Sequence, residues 1–261
     1  MLQNIPDRSP LISECARTHR NGRGDVAPSP KQNQLLARLP MTDYVRLRPH
    51  LEPVSLPIGW TVNHAGDRRD CLYFVTAGIV AHSLLLRSGK STAFSVTGNE
   101  GVVGVASFLG GLTLPSDSVV LSAGSAYRLR GDFVRRELAR GSPLANLLLR
   151  YTMALTVEIA QNGACNRHHS VQQQVCRYIL SFLDRLPVDE LTMSQHTIAE
   201  VLGVRREGVT EAIGKLQKAG VVHCRREHIA VIDRFRLEAG ACECYAVVRS
   251  AYHPQMEKRS A

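Results

Sequence analysis

This 261-residue chain is poor in aromatics (5 %), has one tryptophan, and has no apolar run approaching the ~20 residues of a membrane span. Its seven cysteines (15, 71, 165, 176, 224, 242, 244) include no pair at C-x-x-C spacing. An odd count in a chain this long does not read as a disulfide scaffold, so reduced thiols in a cytoplasmic protein are expected. Asp7 and Arg8 interrupt the N-terminus before an apolar run could build, and no signal peptide is expected. A cupin-type metal site needs an H-x-H pair, a nearby glutamate and a later histidine. His64 and His82 stand alone, and the adjacent His168 and His169 point to different faces. No nucleophile–base arrangement or phosphate loop stands out, which leaves no basis for catalysis.

The chain does carry positive charge. Thirty-two basic against 23 acidic residues give a net charge of +9 and favour a polyanionic partner. Bulk charge does not locate it, because residues 187–261 hold eleven basic and ten acidic side chains. The length fits two domains, and 44 % hydrophobic with 21 % charged residues is an ordinary globular balance.

Local pattern is more telling from Leu191 to Asp233. Ser194 is a good N-cap, and Ile198, Val201 and Leu202 give one apolar face at helical spacing. Gly203 allows a sharp turn. A second helix is expected from Arg205 to Lys218, with Val209, Ile213 and Leu216 inward and Arg205, Arg206, Glu207, Thr210 and Glu211 starting its other face. Gly220 closes it, and VVHC and HIAVI then flank Arg225, Arg226 and Glu227 as a hairpin with a charged tip. Helix–turn–helix followed by a basic-tipped hairpin is a winged helix–turn–helix, whose usual task is to set one helix in the DNA major groove. Between Gly203 and Arg226 six Lys/Arg face two acids, and four of the six sit at the start of the second helix or on the wing.

Upstream, residues 1–30 read as a polar tail rich in Pro, Gly and Arg, and 31–49 as short helices anchored by Leu35, Leu36, Leu39 and Leu47. From 51 to 123 the runs LEPVSL, TVNH, CLYFVTAG, IVAHSLLL, STAFSVT and SVVLSA, punctuated by glycines and Pro57, predict a small all-β sandwich or barrel. GDFVRRELAR follows as a brief helix. A long helix then opens with Ser142 as N-cap and Pro143 at its first position. In it Leu144, Leu148, Tyr151 and Leu155 alternate at spacings of four and three. That pattern fits either a coiled-coil seam or packing on the helix's own domain. VQQQVCRYILSFLDRL enters the last domain as another amphipathic helix.

VLGVRREGVTEAIGKLQKAGVV, the hairpin, and LEAGACECYAVVRSAYHP resemble the C-terminal part of bacterial Crp/Fnr regulators, and the resemblance extends over about residues 31–261. YFVTAGIVAHSLLL and GNEGVVGVASFLGG are similar to that family's β-roll strands and pocket helix. The resemblance implies an α+β fold: a tail over 1–30, a cyclic-nucleotide-binding-like β-roll over 31–140, a dimerisation helix over 141–167 and a winged helix–turn–helix over 168–261. It favours the dimer seam for Leu144, Leu148, Tyr151 and Leu155, and implies double-stranded DNA, a second copy of the chain and RNA polymerase as partners. It places Arg206 and Glu207 at the family's base-reading pair and Glu211 at a further base-reading position, where some members have arginine. Ser194, Gln195, His196 and Arg225 fall at backbone contacts.

The family's cyclic-AMP binders hold the cyclic phosphate with an Arg-Ser pair. Here no arginine occurs from Ser88 through Tyr127, the only basic side chain is Lys90, and Asp117 stands near the expected position. Cyclic-nucleotide binding is therefore not expected. Cys15 alone precedes Cys71, which speaks against an N-terminal four-thiolate iron–sulfur cluster. Cys71, His64 and His82 leave a haem reading open. Cys242 and Cys244 match a tail motif of the family, but Cys-x-Cys alone is poor zinc spacing, and no metal or cofactor is expected.

Overall fold

A computed structural model describes residues 28–67, 70–89, 91–110, 115–186 and 190–253. The tail read over 1–30 lies, up to residue 27, outside the described residues, as does Lys90. Helices α1 (Gln34–Ala37) and α2 (Met41–Leu47) lead into an antiparallel sheet of β1 (Glu52–Leu56), β2 (Thr61–Asn63), β3 (Cys71–Leu85), β4 (Ser91–Thr97), β5 (Val102–Val103) and β6 (Asp117–Arg130). Its order is β1-β6-β3-β4, with β2 on β6 and β5 on β3. Asn33 fastens α1 to the sheet. Its side-chain oxygen accepts from the Leu35 and Leu36 N–H groups, and its amide donates to the carbonyls of Val75 and Gly101, both at 2.8 Å.

The expected break between CLYFVTAG and IVAHSLLL is absent: both runs belong to β3. Gly78 takes φ +87° inside the strand, and a Cβ there would meet the Ser122 carbonyl oxygen at 2.5 Å. Opposite it, a Cβ on Gly124 would lie 1.9 Å from the Ala77 carbonyl oxygen. The two glycines let β3 and β6 approach through a stretch of register shifts. The roll is built on two long strands bent there, so Gly78 marks a bend and not a turn. β6 likewise runs past the expected SVVLSA to Arg130.

Next come α3 (Gly131–Ala139), α4 (Pro143–His168) and α5 (Val171–Leu183). Ser142 Oγ accepts the Ala145 N–H at the start of α4, and Ser170 with Gln173 forms a capping box on α5. β7 (Glu190–Thr192), α6 (Gln195–Leu202), α7 (Arg206–Lys218), β8 (Val222–Arg225), β9 (His228–Val231), α8 (Arg234–Ala239) and α9 (Cys244–Tyr252) complete the chain. β9 is the middle strand of a small sheet, between β7 and β8.

Three main apolar clusters hold these elements. Leu56, Val62, Val75, Val80 and Val120 fill the roll. Leu36, Phe74, Leu129, Leu148 and Tyr252 join the roll, the N-terminal helices, α4 and α9. The third joins α5, α6, α7 and the wing to Ile79, Ala81 and Val96 of β3 and β4, so the C-terminal unit shares a core with the sheet.

The long helix corrects one expectation. Leu144, Leu148, Tyr151 and Leu155 are buried within the chain's own core and do not face outward as a seam. Tyr151 shows why. Its hydroxyl lies 3.0 Å from Thr97 Oγ1 and donates to the Val102 carbonyl, and its ring lies on Gly101, where a Cβ would approach it to 2.3 Å. The large apolar side chains that α4 leaves exposed are Leu149, Met153 and Ile159.

Candidate nucleic-acid interface

Local chemistry sets the helix–turn–helix. Ser194 Oγ accepts the Thr197 N–H at 3.0 Å and starts α6. Gly203, at φ +67°, ends α6 in the left-handed region that glycine enters without strain. Val209, Ala212, Ile213 and Leu216 bury one face of α7 against α5 and α6. That burial leaves Arg206, Glu207, Thr210 and Glu211 exposed on the opposite side, with Arg205 exposed as the N-cap residue.

These residues are not equally free. Thr210 Oγ1 donates to Gln195 Oε1 at 2.8 Å, and Gln195 Nε2 donates to Cys224 Sγ at 3.9 Å, so Gln195 joins α7 to the start of α6 and to β8. Glu211 pairs with Lys215 at 2.8 Å, and that contact holds its carboxyl below the usual glutamate range. His196 faces Glu200 at 3.3 Å. Among the described residues no hydrogen bond or ion pair engages the guanidinium groups of Arg205 and Arg206 or the Glu207 carboxylate. Two free forks and a free carboxylate at one helix end can make bidentate guanine contacts, phosphate contacts and a cytosine contact.

The wing adds two arginines. Arg225 and His228 are paired across the hairpin, and between them Arg226 takes φ 55°, a conformation that tight hairpins usually give to Asn or Gly. Both arginines are exposed.

The roll encloses a cavity of about 50 Å³ bordered by His64, Asp67, His82, Phe94, Ser107 and Leu155, among others. Small-molecule sites run from roughly 300 Å³ upward. Among the described residues no arginine lines the cavity. Asp117 accepts the Ala65 N–H at 2.8 Å and stands 4.0 Å from His64 Nδ1. His82 has both ring nitrogens engaged, Nδ1 with Ser118 Oγ at 3.0 Å and Nε2 with Thr97 Oγ1 at 2.9 Å. Burial pushes its pKa down to about 4, so the ring is neutral. Cys71 sits at the far end of β3 from His82, so the three side chains considered for haem do not converge.

The spacing of the sequence did not reveal that Cys165, His169, Cys242 and Cys244 converge at the end of α4.

A β-roll, a long helix and a winged helix–turn–helix with a basic reading end define a DNA-binding transcriptional regulator. Residues 53–140 match the cyclic nucleotide-binding domain and residues 173–239 the Crp-like helix-turn-helix domain. A CRP-like cAMP-activated global transcriptional regulator of Mycobacterium tuberculosis is 23 % identical over 198 residues, spanning 73 % of this chain and 88 % of that protein. The global nitrogen regulator of Synechococcus elongatus is 22 % identical over 187 residues, spanning 67 % and 83 %. The structure of FixK2 from Bradyrhizobium japonicum matches with TM-score 0.65 at 17 % identity, covering 74 % of this chain and 98 % of that one. This chain is a member of the Crp/Fnr family of transcriptional regulators and not an enzyme.

Proposed function

We propose that the protein is a homodimeric, sequence-specific transcription factor that reads a palindromic site with α7 and does not respond to cyclic AMP. The observation that carries this is the exposed, unpaired end of α7, Arg205-Arg206-Glu207, together with the exposed Arg225 and Arg226 of the wing. Arg206 donates to guanine O6 and N7, and Glu207 accepts from cytosine N4. Thr210 and Glu211 border that contact, and Lys215 holds Glu211 until a base competes for it. Arg205, Ser194, Gln195, His196 and Arg225 hold phosphates.

The dimer forms along the outer face of α4. Leu149, Met153, Thr156, Ala160 and Gly163 keep the same alternation of four and three as the buried row, and all five are exposed. Such a dimer presents its two reading helices to half-sites about one turn (~34 Å) apart. The cavity of about 50 Å³ without an arginine favours a roll that holds no cyclic nucleotide. The protein works where its DNA and RNA polymerase are, in the cytoplasm.

The test is a selection from random duplex DNA with ligand-free protein at two salt concentrations. A palindrome with half-sites one turn apart is expected. Arg206→Ala should relax the sequence choice at a cost of ~1–3 kcal/mol, whereas Arg225→Ala should weaken all sequences alike. An unchanged consensus from Arg206→Ala would show that α7 is not the reading helix. Weak, salt-dependent binding with no consensus would count against effector-independent recognition.

A further inference from the structure

Two residue pairs more than seventy positions apart meet where the long helix ends. Cys165 lies in the last turn of α4 and His169 is that helix's C-cap, while Cys242 and Cys244 lie where α8 passes into α9. The Sγ atoms of Cys165 and Cys242 are 3.6 Å apart, and Cys244 Sγ lies 3.5 Å from His169 Nδ1. All four candidate ligand atoms fall within 4.8 Å of one another. We propose that Cys165, His169, Cys242 and Cys244 form a structural zinc site that clamps the C-terminal helix to the hinge between α4 and α5.

The distances fit. With Zn–S near ~2.3 Å and Zn–N near ~2.0 Å, a tetrahedron has S–S edges of about 3.8 Å and S–N edges of about 3.5 Å. All three thiols are buried, which suits a closed site of four protein ligands. The surroundings also suit a metal. His169 Nε2 faces Glu243 Oε1 at 3.3 Å, so the Nε2–H donates to a carboxylate and the Nδ1 lone pair points to the thiols. A carboxylate behind a histidine ligand fixes ring and tautomer in metal sites. Gln161 Nε2 donates to Cys244 Sγ at 3.2 Å, and Gln174 Nε2 donates to the His169 carbonyl at 2.9 Å.

The charges close as well. Three thiolates around a divalent cation leave one net negative charge. The buried Arg177 supplies a positive one, and among the described residues no carboxylate makes an ion pair with it within 4 Å. Its guanidinium donates to Asn162 Oδ1 at 2.6 Å, and its Nε lacks a hydrogen-bond partner. Zinc binding forms three Zn–S bonds and one Zn–N bond and releases the three thiol protons to solvent.

The first measurement is the metal content of full-length protein purified without chelator, followed by replacement of the metal with cobalt(II). One zinc per chain is expected, and the cobalt form should show thiolate-to-metal charge-transfer bands and intense tetrahedral d–d bands. Cys242→Ser and His169→Ala should lose the metal, and Cys176→Ser, a buried thiol outside the cluster, should keep it. Should the ligand variants fail to fold, Glu243→Gln remains informative, because it should keep the fold and bind zinc ~10–100-fold more weakly. Metal-free protein with all thiols titratable would overturn the proposal. So would a Cys165–Cys242 disulfide in the protein as isolated, zinc that persists in both ligand variants, or iron in zinc's place.

Discussion

His82 shows how one buried residue sets a pH dependence. Its ring bridges Ser118 on β6 and Thr97 on β4, so protonation would place a charge inside the roll. Burial lowers its pKa from 6.5 to about 4. The unfolded chain therefore takes up the proton first as pH falls. The stability that the neutral ring contributes is complete above pH 6.5 and is lost as pH drops towards 4, a total of ~3 kcal/mol. Urea unfolding across that window should show a steep loss for the wild type and a flatter one for His82→Gln. Equal slopes would mean that another group dominates. The same geometry explains why His82, which read as a possible haem ligand, is better described as a neutral cross-brace.

At the scale of elements, α4 carries two interleaved apolar rows. The row of Leu144, Leu148, Tyr151 and Leu155 is covered by the roll and by α9, and the row from Leu149 through Gly163 is open. Met153→Arg should therefore break the proposed dimer into monomers in sedimentation and leave helix content unchanged, whereas Leu148→Glu should unfold the chain. A Met153→Arg protein that stays dimeric would move the interface off this face. The sequence made the four-and-three alternation visible but could not say which row is covered, because the covering side chains, such as Leu36 and Tyr252, come from distant segments. Features closed by near neighbours were legible: the Ser194 cap, the Gly203 turn, the amphipathic face of α7 and the wing. Gly78 misled because a glycine within a β run reads as a turn, and only the approach of Gly124 reveals a bend. Cys165 and Cys242, 77 positions apart, were illegible for the same reason as the covered row.

In the whole molecule, one buried ionic network joins three parts. Arg185, just beyond α5, donates to Glu100 of the β4–β5 loop at 2.8 Å and reaches Glu158 of α4 at 3.4 Å. Tyr252 of α9 donates to the same Glu158 at 2.6 Å, and the guanidinium lies 5.4 Å from the centre of its ring. Burial raises the Glu158 carboxyl, and Arg185 and the Tyr252 hydroxyl offset part of that. Roll, long helix and DNA-binding unit thus meet at one guanidinium, beside the core that α5 and α6 share with β3 and β4. Arg185→Ala would leave two carboxylates buried without their cation, and breaking such a group on one side costs ~3–5 kcal/mol. Adding Glu158→Gln to that variant removes one uncompensated charge and should recover part of the loss. Lys215→Ala, which breaks an exposed pair on α7, should leave stability unchanged. Chemical denaturation of the three variants separates the cases. An Arg185→Ala protein as stable as the wild type would show that these parts are held by apolar packing alone. A loss recovered by the second substitution would show that charge at this junction sets how firmly the C-terminal unit is tied to the roll.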